Sequence, residues 1–225
     1  MKVRKDTQWD NLHKNYYSKQ DWINKPNIFA EEVLEYFPEK GYILCLGDGQ
    51  GQDARFFATK GYKVLTTDKS TEALKVSSQK ILEQNLKNIT AEKLDLTLDL
   101  PFDKGVFDVV YAHLSLHYFS EEKTKQIFKE IQRVLIPGGI LAVFVNSVND
   151  PEFNSGKRIE QEYFEIEGMK KRFFSKYSMD YFTKDFQVIL LDDKGRTYKD
   201  DAKGIHNLVR FVGRNYPRSA DDSTT

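Results

Sequence analysis

The sequence predicts an α/β fold: a doubly wound, mostly parallel sheet of seven strands with an antiparallel C-terminal strand. Three observations carry that expectation. From Gly41 to Val145 short apolar runs alternate with amphipathic helical stretches, which is the rhythm of parallel βαβ units. The first apolar run ends in a glycine-rich turn, Gly47-Asp48-Gly49-Gln50-Gly51. Near the end, two further apolar runs flank the turn residues Asp192-Asp193-Lys194-Gly195, so these two strands can pair antiparallel.

The opening 38 residues read as a helical cap. Pro26 suits a first helical position, and Phe29, Val33, Tyr36 and Phe37 then recur at helical spacing until Pro38 stops the pattern. Residues 42–46 form the first strand. Residues 53–60 read as a helix with Phe56 and Phe57 inward, closed by Gly61. Residues 63–67 are a second strand, and Ser70 caps a helix that runs to about residue 84. Residues 89–94 make a weaker third strand and residues 106–112 a fourth. Ser120 is a good N-cap, since Glu121 and Glu122 follow in the first turn, where the helix dipole favours acids. Pro137-Gly138-Gly139 is expected to end that helix, and residues 140–145 form the fifth strand. A mixed, aromatic-rich segment then runs to about residue 180. The last two strands fall near 187–191 and 207–213, and a polar tail after Tyr216 is expected to fray.

Composition narrows the function classes. A chain of 225 residues suggests a single domain, with residues 1–38 as the cap, 39–146 as the core, 147–214 as an acceptor-side segment and 215–225 as the tail. No apolar run is long enough to span a membrane. The charged start carries no apolar leader, so a cytoplasmic address is expected. Cys45 is the single cysteine, which leaves no internal disulfide and no cysteine zinc cluster. Lysine plus arginine and aspartate plus glutamate balance at 34 each. The densest basic run, Lys170-Lys171-Arg172, therefore reads as a solvated face, and no nucleic-acid partner is expected. His13, His113, His117 and His206 are too scattered for a metal site.

In such sheets a ligand sits beyond the carboxyl ends of the strands, beside the first one. The glycine turn lies there. Twenty-one residues after Gly47 comes Asp68, where an acid can accept hydrogen bonds from both hydroxyls of a ribose. Those features fit a dinucleotide or S-adenosylmethionine (SAM). Charge separates them. A dinucleotide would lay its pyrophosphate against the helix N-terminus, yet Asp48 and Asp53 would face it there. Like charges at that range cost energy. SAM carries a sulfonium and an ammonium instead, which an acidic turn suits.

These residues resemble class I SAM-dependent methyltransferases, whose fold they therefore imply. Ile43 to Ala58 resembles the family's first motif, and Gly61 to Ser70 its second. Leu94-Asp95-Leu96 with Leu100-Pro101-Phe102 resembles the third-strand region, Phe107 to His117 the fourth, and Leu135 to Ala142 the approach to the fifth. Trp9-Asp10 and the Leu116-His117-Tyr118-Phe119 run are similar to the tellurite-resistance and thiopurine methyltransferase group. The resemblance implies that Gly47, Asp48, Gly49 and Gly51 line the methionine end of SAM, Asp68 the ribose, and Asp95 and Leu96 the adenine. It implies Asp53, Lys69, Ala112 and His113 as further cofactor-binding residues. One departure stands out: the family usually has an acid where this chain has Cys45, and Asp48 is expected to replace it.

The chemistry follows from the cofactor. Methyl transfer is an in-line displacement in which the protein mainly positions the acceptor. A base is needed only for an acceptor that must lose a proton. His117 is the candidate base and Tyr118 a candidate for positioning the acceptor. Trp9, Tyr16, Tyr17, Trp22, Tyr163, Phe164, Phe173 and Phe174 are rich enough in aromatic surface to cover a small acceptor. Thiol, chalcogen oxyanion, amine and hydroxyl acceptors are all compatible with the sequence. Two other readings are a nicotinamide oxidoreductase and a SAM-binding protein without turnover.

Overall fold

A computed structural model describes residues 8–198 and 207–216. The polar tail lies outside the described residues, and so does the side chain of Trp22. Seven strands form the main sheet: β1 (Tyr42–Leu46), β2 (Lys63–Asp68), β3 (Ile89–Lys93), β4 (Phe107–His113), β5 (Leu135–Val145), and a distant pair, Phe186–Gly195 and Leu208–Asn215. Between β5 and that pair the chain builds β6 (Lys157–Glu160), β7 (Tyr163–Ile166) and β8 (Met169–Arg172), so the distant pair are β9 and β10. The order across the sheet is β3-β2-β1-β4-β5-β10-β9. β1 pairs in parallel with β2 and β4, while β10 runs antiparallel to both β5 and β9. The predicted fold class is thus the observed one.

Alternation along β1 explains the two layers. Ile43 and Cys45 face one side of the sheet, packing with Phe29, Ala54 and Phe57. Leu44 and Leu46 face the other, with Phe128, Ile131 and Phe182. The first side is covered by α2 (Ile28–Glu32), α3 (Gln52–Thr59) and Ile81 of α4 (Thr71–Glu83). The second is covered by α5 (Glu121–Val134) and α6 (Lys176–Phe182). Ser70 and Ser120 cap α4 and α5 by accepting the backbone N–H of Ala73 and Lys123, as the sequence predicts.

Three local expectations are corrected. Pro26 does not start a helix: Asn27 is the N-cap and α2 begins at Ile28. Pro137-Gly138-Gly139 is not a break before the fifth strand, because β5 takes over directly from α5 at Leu135. Asp192 to Gly195 is not a turn but the end of β9, since Arg210 of β10 sits opposite Asp192 and binds it at 2.6 Å. The aromatic-rich segment after β5 holds the small antiparallel sheet β6-β7-β8.

The N-terminal segment packs across the strand ends. Helix α1 (Gln8–Asn15) places Asp10 so that its Oδ1 accepts from Ser70 Oγ at 2.8 Å and from the backbone N–H of Glu72 at 3.2 Å. The segment that leads the sequence thereby becomes a wall of the site.

Candidate active site

A cavity of about 640 Å³ opens at the carboxyl ends of β1, β2 and β4. Its floor is the glycine turn. Gly47 and Gly49 have φ of +62° and +60°, values that L side chains rarely adopt. A Cβ on Gly47 would lie 2.6 Å from Ser115 Cβ, and one on Gly49 would lie 2.9 Å from His13 Cε1. Glycine is needed at both positions for conformation, and at Gly47 for space as well.

Asp68 ends β2 and lines the cavity. Its Oδ2 accepts the Gly49 N–H at 2.9 Å and its Oδ1 accepts the Ser70 N–H at 2.7 Å. Burial pushes the Asp68 carboxyl up, and those backbone hydrogen bonds partly offset it. A carboxylate offers about four lone-pair sites, and the backbone N–H groups of Gly49, Ser70 and Lys69 occupy three, so Asp68 keeps an acceptor site for a hydroxyl. Further along this wall, Lys69 Nζ pairs with Asp95 Oδ2 at 2.7 Å. Burial would raise the Asp95 carboxyl, but the hydrogen bonds from Lys69 and Thr97 outweigh it and hold it below the usual carboxylate range.

Asp48 also lines the cavity, and its side chain ties the turn to its neighbours. Its Oδ2 accepts the Ala54 N–H at 3.2 Å and the Thr66 hydroxyl at 3.0 Å. Burial, reinforced by the nearby Asp53 charge, pushes the Asp48 carboxyl well above its ordinary range. Cys45, two residues before the turn, lies wholly within the apolar layer shared with Ala54 and Phe57. Burial pushes its thiol up as well.

The opposite wall is aromatic. His117 is 2 % exposed, and its ring centroid lies 4.2 Å from that of Tyr118. Tyr118 meets Trp9 edge-on at 4.7 Å. His113 stacks on Phe144 at 4.8 Å with the rings 4° from parallel. All four cavity residues here, Trp9, His113, His117 and Tyr118, face the same space as the glycine turn.

Residues 43–139 match the family model described as a methyltransferase domain. The core of the chain is thus similar to a methyltransferase domain. An uncharacterised methyltransferase of Synechocystis is 33 % identical over 126 residues, covering 52 % of this chain and 56 % of its own length. The methyltransferase GfsG of Streptomyces halstedii is 28 % identical over 141 residues, covering 60 % of this chain and 50 % of its own. The chain thus spans about half the length of these curated relatives. A SAM-dependent methyltransferase from Methanosarcina mazei shares the fold with a TM-score of 0.71 at 18 % identity, covering 82 % of this chain and 97 % of that one. The Methanosarcina neighbour is SAM-dependent, which makes SAM the cofactor to weigh against this cavity.

The fold brings most of the expected site residues to one cavity: Gly47, Asp48, Gly49, Asp68, Lys69, Asp95, Leu96, His113, His117 and Tyr118. It does not bring three of them. Gly51 is the left-handed N-cap of α3, with φ of +76° and Ser77 Oγ where a Cβ would stand. Asp53 is fully buried and does not line the cavity, accepting the backbone and side-chain N–H groups of Asn27 and the Tyr111 hydroxyl, each at 2.8 Å. Ala112 is buried in β4 among the apolar residues under α5. Of the two acids, Asp48 lines the cavity and Asp53 does not.

Sequence reasoning missed His13, Asn27, Gln50 and Ser115, all of which line the cavity. Ser115 anchors its loop by donating to the Leu46 carbonyl at 2.6 Å. Gln50 is only 2 % exposed, yet neither heteroatom of its carboxamide has a partner among the described residues. A buried amide of that kind is costly unless something polar meets it. Its place in the glycine turn was a signal that the surrounding glycines obscured.

SAM fits these residues. Two glycines hold the floor open, an acid with spare acceptor capacity ends β2, and the Gln50 carboxamide has unmet donors and an unmet acceptor. An ammonium-carboxylate end group supplies matching polar atoms.

Proposed function

We propose that this protein transfers a methyl group from SAM to a small-molecule acceptor. The observation that carries the reading is that one cavity joins the glycine turn and Asp68 to the aromatic wall of Trp9, His117 and Tyr118. When bound, SAM supplies a methyl carbon already activated by its sulfonium. Gly47, Gly49 and Gln50 hold its methionine end, Asp68 the ribose, and Asp95 with Leu96 the adenine. Lys69 positions Asp95. The roof formed by α1, together with Glu152 and Lys171 from beyond β5, limits access, which suits a small acceptor better than a folded macromolecule. Tyr118 positions the acceptor, and His117 takes a proton where the acceptor must lose one. Within this reading, the tellurite-resistance and thiopurine methyltransferases are the narrower likeness.

The test is methyl-labelled SAM incubated with the full chain and a small-metabolite extract. Label appearing in a low-mass product supports the proposal. Binding of S-adenosylhomocysteine (SAH) without label transfer points to a SAM-binding protein, and label in protein or RNA points to a macromolecular acceptor.

A further inference from the structure

The turn that carries His117 is fastened from behind. His117, Tyr118 and Phe119 lie between β4 and α5, in neither a helix nor a strand, so no ladder fixes their carbonyls. The small sheet β6-β7-β8 supplies the partners instead. The backbone N–H of Arg172 donates to the His117 carbonyl at 2.7 Å. The Tyr163 hydroxyl donates to the Tyr118 carbonyl at 3.2 Å. Arg172 Nε donates to the Phe119 carbonyl at 3.1 Å. Three successive carbonyls are thus held by two residues that face each other across β7 and β8. The residues that carry those carbonyls all line the cavity.

The remaining nitrogens of Arg172 fix the guanidinium itself. Nη1 donates to the Gln161 carbonyl at 3.2 Å, and Nη2 to the Glu160 carboxylate at 2.5 Å. The same Glu160 oxygen takes the Glu121 N–H at 2.8 Å, at the start of α5. The guanidinium also lies over the Tyr163 ring, 5.1 Å from its centroid. The run Lys170-Lys171-Arg172, which reads in sequence as a solvated face, is divided by the fold. Lys170 is exposed and Lys171 lines the cavity, whereas Arg172 is 2 % exposed and does not line it. Burying an arginine is expensive, and an apolar side chain of similar volume often holds a structure together as well or better. An apolar side chain cannot aim backbone carbonyls, while a planar guanidinium fork fixes direction as well as distance.

We propose that Arg172 is a positioning residue for the acceptor site. Through the carbonyls of residues 117–119 it sets the direction of the His117 and Tyr118 side chains toward the methyl group, and it touches neither SAM nor the acceptor. The inference rests on the reading of His117 and Tyr118 as the acceptor wall. Misplacing reacting groups by about 1 Å can lower a rate by about 100-fold, so a loop held in this way has a direct effect on turnover.

The experiment compares Arg172→Met, Tyr163→Phe and Arg210→Met in the full chain. Arg210 is the control: it is a largely buried, ion-paired arginine, bound to Glu32 and Asp192, and it lines no part of the cavity. SAH affinity is measured by calorimetry. Label transfer from methyl-labelled SAM to the small-metabolite extract gives kcat and the KM for SAM. The His117 ring resonances of the SAH complex, assigned by their loss in His117→Gln, report the orientation of the ring. The expected result is a fall in kcat of at least about tenfold in Arg172→Met and a smaller fall in Tyr163→Phe. SAH affinity and the KM for SAM stay near wild type, and the His117 resonances shift in both variants. Arg210→Met loses stability but keeps kcat and the resonances. Wild-type kcat and resonances in folded Arg172→Met, or an equal loss of kcat in Arg210→Met, would overturn the proposal. Tyr163→Phe removes a single hydroxyl and decides the matter if Arg172→Met does not fold. Wild type that binds SAH but transfers no label would overturn the transfer reading and the inference with it, and the resonances tell the two failures apart.

Discussion

Asp10 of the N-terminal helix binds Ser70, the residue that caps α4, at 2.8 Å across sixty positions of sequence. The same carboxylate oxygen takes the Glu72 N–H. One acid thus supports a helix N-terminus and pins α1 over the strand ends, which puts Trp9 and His13 into the cavity wall. Asp10→Ala is expected to lower stability by about 1–2 kcal/mol, the range for losing a capping acceptor. It should also weaken SAH binding, because the wall loses its anchor. Thermal unfolding with and without SAH separates the two effects.

Asp53 is expected to act on stability alone. Its carboxylate satisfies three buried donors, two on Asn27 and one on Tyr111. Asp53→Ala leaves them unmet and should cost about 3 kcal/mol or more. Chemical denaturation measures the loss. At temperatures where the variant is folded, its SAH affinity should stay within a few-fold of wild type.

Asp48 gives a pH-dependent outcome. Its folded pKa is raised by burial and by Asp53. The proton is therefore held more tightly in the folded state than in the unfolded one. Its favourable contribution is fully present below the unfolded value, near 4, and is lost as pH rises through the folded value. Asp48→Asn keeps an acceptor for Ala54 and Thr66 but cannot ionise. The variant should match wild type in acid and become the more stable of the two as pH rises. Unfolding midpoints across a pH series check this, and a constant difference between the two proteins at all pH values would refute it.

The frame of the molecule was legible because local signals and tertiary packing agreed. β1 reads as an unbroken apolar run and β4 as one interrupted by Asp108, because both are buried on both faces, and Ser70 and Ser120 sit where caps belong. Asp68 was legible because it closes a strand at the spacing that a ribose requires. Reading failed where distant partners decide. Asp192 looks like a turn residue until Arg210 arrives from β10. β6 is written Lys-Arg-Ile-Glu and is mostly exposed, so no apolar pattern announces it. Asp53 looks like a cofactor acid on the helix end, yet Asn27 and Tyr111 draw its carboxylate the other way. His13 and Gln50 carry no pattern of their own, and only the folding of α1 over the turn gives them a place.

His117 should separate chemistry from binding. If it takes the acceptor's proton, His117→Gln lowers kcat by about 100-fold or more while SAH affinity stays near wild type. A raised KM with unchanged kcat would mean that His117 shapes the acceptor site without moving a proton. The rate is best followed with labelled SAM and a small-metabolite extract near neutral pH.

The central claim is that the glycine turn and Asp68 hold SAM. Calorimetric titration of the full chain with SAM, SAH and NADH tests it most directly, alongside Asp68→Ala. The account predicts that SAM and SAH bind wild type, that Asp68→Ala weakens both by at least about tenfold, and that NADH does not bind. Tight NADH binding with no binding of SAM or SAH would contradict it.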